Sequence, residues 1–116
     1  MLIRETLGNV IVSNDVIAAL AGHAATGCFG VKGMVTKSVT DGIVRLLKRD
    51  HMSKGVFISE QKDQSIDIEL HIAVDHGINI PALCKSIVGE VKYHTERLTG
   101  VHIGKIDVCV DSIRVN

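Results

Sequence analysis

Along this chain the spacing of apolar residues changes several times, and each change predicts an element. From Ile66 to Val74 the alternation is strict: Ile66, Ile68, Leu70, Ile72 and Val74 are separated by Asp67, Glu69, His71 and Ala73. A period of two predicts a strand with one buried and one wet face, as in an antiparallel sheet covered by helices on one side. Val56 to Glu60 predicts its hairpin partner, opened by Gly55 and joined through the polar turn Gln61 to Ser65. Val101 to Val115 predicts a last long strand in which the alternation changes phase. Val101 and Ile103 hold odd positions, whereas Ile106, Val108 and Val110 hold even ones, which places a bulge at Gly104 and a second shift near Ser112.

Elsewhere the spacing is helical. Ser13 is placed as an N-cap with Asp15 in the first turn, followed by the pairs Val16/Ile17, Leu20/Ala21 and Ala24/Ala25 and a stop at Gly27. The longest helix is predicted from Asn79 as cap, with Pro81 in the first turn and Gly100 as the stop. Its stripe runs through Ile80, Leu83/Cys84, Ile87/Val88, Val91 and Leu98. A second, shorter helix is predicted from Asp41 to about Asp50, on Ile43, Val44, Leu46 and Leu47 with a basic last turn. Short strands are predicted at Val10–Val12 and Val31–Val35. The order is β-α-(β)-α-β-β-α-β, an α/β chain of the α+β type: a mostly antiparallel sheet with helices packed on one face. No linker, repeat or low-complexity stretch interrupts it, so residues 1–116 are read as a single domain.

Composition narrows the partners. Thirteen basic and thirteen acidic residues cancel, which leaves no long-range field to draw in nucleic acid or an anionic membrane. Cys28, Cys84 and Cys109 are odd in number and form no CxxC pair, as expected in a reducing compartment. The opening Met-Leu-Ile-Arg-Glu lacks the apolar core of a secretory leader, and no apolar run approaches the roughly 20 residues of a membrane span. A cytoplasmic location is expected, with membrane association only through a partner.

Candidate chemistry is sparse. Among six histidines, the pairs His71/His76, His23/Cys28 and His94/His102 have no recognised zinc spacing, so no metal is expected. Gly27-Cys28-Phe29-Gly30 is a GxxG, the element that grips nucleic-acid backbone between two helices, but here a strand is predicted after it. No P-loop or dinucleotide fingerprint is present. Cys84 falls on an apolar helix face, Cys109 on the wet face of its strand with no identifiable base, and Cys28 in a loop as the most plausible reactive thiol. The carboxylate pairs Asp67/Glu69 and Asp107/Asp111 read as the solvated faces of their strands. No catalytic, cofactor-binding or metal-ligating residue is assigned. Phe29, Val31 and Met34 lie in a glycine-rich stretch without a period, so they cannot all face one core; an exposed contact surface is expected there.

The run Val74-Asp75-His76-Gly77-Ile78-Asn79-Ile80-Pro81-Ala82-Leu83 resembles the signature of the alkaline-shock-protein family of Gram-positive bacteria, also called the general stress or envelope stress response family. Gly8 to Ser13 leading into Val16-Ile17 and Ala24-Ala25, then Gly30-Val31 and Gly33-Met34, is similar to the family's N-terminal half. Ser53-Lys54-Gly55-Val56 and Thr99-Gly100-Val101 are similar to the remainder. The resemblance covers about residues 8 to 115, and the short length is most similar to the compact YloU-like branch. It implies a stress-associated protein, in some members tethered to the membrane by a separate anchor protein, without established catalytic residues. The leading expectation is a non-enzymatic interaction or scaffolding module in cell-envelope homeostasis, with protein partners or a homo-oligomer and no cofactor. The alternatives are an RNA-associated protein using the Gly27–Gly30 loop and a small thiol-dependent enzyme built on Cys28 or Cys109.

Overall fold

The computed structural model describes residues 2–5, 7–37, 44–47 and 53–114. In chain order its elements are β1 (Leu2–Glu5), β2 (Gly8–Ile11), α1 (Asn14–Thr26), β3 (Val31–Lys37), β4 (Val44–Leu46), β5 (Val56–Glu60), β6 (Ile66–Asp75), α2 (Ile80–Thr99) and β7 (Ile103–Arg114). The strictly alternating segment, β6, is the centre of the main sheet. One of its edges is shared end to end. Antiparallel β5 pairs along Ile66–Leu70 and antiparallel β3 along Ile72–Val74, and β4 extends the sheet beyond β3. The other edge carries β7 in parallel. β1 and β2 pair with each other as a separate two-stranded ribbon.

The α+β architecture with a mostly antiparallel sheet is the one the periods predict, and the β6–β7 pair is its parallel exception. Its cause is α2. Twenty helical residues span about 30 Å, close to the roughly 33 Å of a ten-residue strand. The helix therefore carries the chain back along β6 before β7 begins. Both shifts of phase in β7 are real irregularities: Gly104 is skipped between the pairs Ile66–Ile103 and Asp67–Lys105, and Asp111 between Ile72–Val110 and Ala73–Ser112.

One predicted element is corrected. The helix expected over Asp41 to Asp50 is not formed at Val44–Leu46, which pairs as a strand with Val35, Thr36 and Lys37. Apolar residues at Ile43, Val44, Leu46 and Leu47 fit either period, and a ready partner edge on β3 decides for the strand. A Cβ on Gly33 would lie 3.0 Å from Leu46 Cδ1, so β3 accepts this neighbour closely because it has no side chain there. The rest of that expected helix lies outside the described residues. β1 is an element the spacing did not predict.

Both helices pack on the same face of the sheet. Ile17, Ala21 and Ala25 of α1 and Leu83, Ile87 and Val91 of α2 are buried against Ile66, Ile68, Leu70 and Ile72 of β6 and Met34 of β3. The caps form as predicted. Ser13 Oγ accepts the Val16 N–H at 3.3 Å, and Asn79 Oδ1 accepts the Ala82 N–H at 3.1 Å. Gly100 closes α2 at φ 75°, a left-handed position that a side chain would strain. The C-terminal end of α2 is tied to the sheet by Glu96 Oε2, which accepts the Ile103 N–H at 2.8 Å.

Candidate functional site

Each helix carries more apolar surface than the sheet covers. In α1 the two-residue-wide stripe divides: Ile17, Ala18, Ala21 and Ala25 face the core, while Val16 is half-exposed and Leu20 and Ala24 lie on the flank. In α2 the buried row is Leu83, Ile87, Val91 and Thr95, in steps of four. Leu98, predicted to continue the stripe, instead lies three residues beyond Thr95 on the outer flank and is largely exposed. Between these flanks runs a groove of about 870 Å³, lined among others by Leu20, Ala24, Ile78, Ala82 and Leu98. Phe29 stands at its edge with 92% of its surface exposed.

The expected contact surface around Phe29, Val31 and Met34 thus resolves into three fates. Met34 is fully buried in the core, Val31 is half-buried against it, and Phe29 faces solvent. The Gly27–Gly30 loop joins α1 to β3, not two helices. Gly30 holds φ 102°, with a would-be Cβ 3.1 Å from Ile78 Cδ1, so the loop is packed against the residue that leads into α2. Lys32, two residues beyond the loop, lies 3.9 Å from Asp75.

Cys28 lines the same groove, with His23, Glu90 and His94. Its thiol donates to the Ala24 carbonyl at 3.7 Å. Burial, with a smaller contribution from the Glu90 charge, pushes the thiol up from its ordinary range. His94 Nε2 is engaged 3.0 Å from Glu90 Oε2. Reactive thiols need the opposite, electropositive setting. Cys84 is half-buried beside Ile106 and Val108, and burial raises its thiol too.

A second constellation stands on the open face of the sheet. The parallel register sets His71 of β6 opposite Cys109 of β7, and Glu69 opposite Asp107. His71 Nε2 lies 2.8 Å from Glu69 Oε2 and Nδ1 lies 2.7 Å from Asp111 Oδ2. Burial works against charging this ring, but the hydrogen bonds to Glu69 and Asp111 outweigh it and hold the imidazole above its ordinary value. Phe57, across from Glu69 on β5, meets the His71 ring edge-on at 5.4 Å. Cys109 is half-buried; burial, then the charges of Glu69, Asp111 and Asp107, push its thiol up. Donor atoms of Glu69, His71 and Cys109 lie within 4.8 Å of one another.

Asp107 and Glu69 are exposed as predicted, and Cys109 does lie on the wet face. Spacing along the chain nevertheless misses the group, because His71 and Cys109 are far apart in sequence and become neighbours only through the β6–β7 pairing. The one signal available was parity: both residues stand on the polar face of a predicted strand.

Residues 3–115 match the ASP23 family, described as having a cell envelope-related function. The chain is 32% identical over 114 residues to the uncharacterized protein YloU of Bacillus subtilis, covering 97% of this chain and 94% of that protein. It is 33% identical over 109 residues to the uncharacterized protein Spy1614 of Streptococcus pyogenes, covering 93% and 89%. To the uncharacterized protein YqhY of Bacillus subtilis it is 29% identical over 108 residues, covering 93% and 78%. No solved structure matches significantly.

Proposed function

Because this chain belongs to the ASP23 family, whose function is cell envelope-related, we propose that it is a non-enzymatic interaction module that docks a protein partner along the groove between α1 and α2. The observation that carries this reading is Phe29, a large apolar side chain left 92% exposed at the edge of a groove whose lining mixes apolar and polar residues. Desolvated aromatic anchors supply much of the free energy of protein association, and polar surroundings set the register. The groove's flank holds one carboxylate, Glu90, next to His94. The complementary partner is therefore an apolar segment bearing a basic residue opposite Glu90. Among the described residues no helix is long and apolar enough to cross a membrane.

The same groove contains a thiol and two histidines, which is what a thiol enzyme would need. Cys28 is instead bonded to a backbone carbonyl and held in its protonated form, so the interaction reading is favoured.

The test is a photo-crosslinking side chain in place of Phe29, activated in the native cell. The expected result is an adduct with one other protein, through an apolar peptide containing Lys or Arg, lost in Glu90→Lys and Leu98→Ser backgrounds. An adduct with a second copy of this chain, or one unaffected by both substitutions, would overturn the proposal. Since Phe29 and Leu98 are exposed, neither change should alter the melting temperature.

A further inference from the structure

We propose that Glu69, His71 and Cys109 bind a zinc ion on the open face of the sheet, with Asp111 holding the His71 ring in the ligating orientation. The site is separate from the α1/α2 groove and does not depend on its reading.

Imidazole nitrogen, thiolate sulfur and carboxylate oxygen together suit a dication of borderline softness, whereas calcium and magnesium require shells of oxygen. Donor atoms of the three residues already lie within 4.8 Å of one another. Ligands on a tetrahedral zinc are separated by about 3.3–3.8 Å, so binding asks the 2.8 Å separation of His71 Nε2 and Glu69 Oε2 to widen and the longer separations to shorten, each by about 1 Å or less. Three protein ligands leave a fourth position for water or an exogenous group.

Zinc-bound histidines commonly donate their other ring N–H to a carboxylate, which fixes the tautomer and the ring plane. Asp111 Oδ2, 2.7 Å from Nδ1, is placed to accept that bond, leaving Nε2 on the side of Glu69 as the ligating nitrogen. The placement depends on an irregularity. Asp111 is the unpaired residue of the second bulge in β7, and bulges re-aim side chains. Phe57, edge-on to the ring, restricts its rotation from the β5 side.

Glu69, Asp111, Asp107 and the Cys109 sulfur crowd one patch, beside which Lys105 lies 3.5 Å from Asp107. A dication offsets this concentration of negative groups and takes the Cys109 proton's place, releasing that proton to solvent.

The experiment uses the untagged full chain, stripped of metal, with Zn²⁺ competed against a chromophoric chelator and Co²⁺ as spectroscopic probe. One equivalent of Zn²⁺ per chain is expected, with affinity at least tenfold weaker in Cys109→Ser and His71→Gln. Asp111→Asn, which keeps every ligand, should weaken it about 10–100-fold. Co²⁺ should give a thiolate charge-transfer band that survives in the Cys28→Ser/Cys84→Ser double variant. That double variant assigns the sulfur to Cys109 even if Cys109→Ser does not fold. Binding of less than one equivalent by the wild-type chain, or a band lost in the double variant, would overturn the proposal. So would unchanged affinity in a folded Cys109→Ser.

Discussion

Thr95 offers a direct test of how α2 is held on the sheet. Its side chain is 0% exposed, and among the described residues its Oγ1 meets no hydrogen-bond partner. It continues the buried row of Leu83, Ile87 and Val91 at a position where an apolar residue would be expected. A buried hydroxyl without a partner costs about 1–3 kcal/mol on protein mutational scales. Thr95→Val replaces that hydroxyl with a methyl of similar shape and keeps the β-branch, so helix propensity is nearly unchanged. The expected effect is a stabilisation of about 1–2 kcal/mol, at the lower end of the range because the exchange is isosteric. For 116 residues, an unfolding entropy of about 2.1 cal/mol/K per residue converts each kcal/mol into about 4 °C. Tm should therefore rise by about 4–8 °C. The companion variant Thr95→Ser keeps the hydroxyl and deletes the methyl, and should cost about 1 kcal/mol. Thermal and urea unfolding of the three proteins measure both. A Thr95→Val protein that melts lower than wild type, beside a neutral Thr95→Ser, would show that the hydroxyl is bonded and refute the reasoning.

Other outcomes follow from the caps and the hairpin. Asn79→Ala removes the acceptor of the Ala82 N–H and should cost about 1 kcal/mol in urea unfolding. Gly100→Ala puts a side chain at φ 75° and should cost about 1–2 kcal/mol in the same assay. Asp63 accepts the Ser65 hydroxyl at 2.6 Å and the Ser65 N–H at 3.0 Å, bonds that lower its pKa below the ordinary 3.8. A depressed folded pKa contributes stability that is present above the unfolded value and lost as pH falls through the folded one. Asp63→Ala should therefore be less stable than wild type at neutral pH, with the gap narrowing below about pH 4; a gap independent of pH would remove the carboxylate from this account.

What the sequence determined by itself is local. The period-two run from Ile66 specifies β6 and its wet face, Ser13 and Asn79 open the helices they cap, and Gly100 ends α2. Even the two shifts of phase in β7 are visible, because a bulge moves every later side chain to the other face and the apolar residues must follow. Each of these depends on residues a few positions apart, where sterics and one or two hydrogen bonds decide. Tertiary structure alone decided the rest. Val44–Leu46 became a strand because the edge of β3 was available, against a spacing that also fits a helix. Leu98 was left outside because α2 buries one face against the sheet and its outer flank finds no cover among the described residues, and Phe29 because the loop after α1 leaves it facing solvent. The cluster of Glu69, His71, Cys109 and Asp111 exists only because α2 matches β6 in length and returns the chain in parallel register. Contacts between residues 40 positions apart are set by which elements lie side by side, and spacing along the chain carries no measure of that.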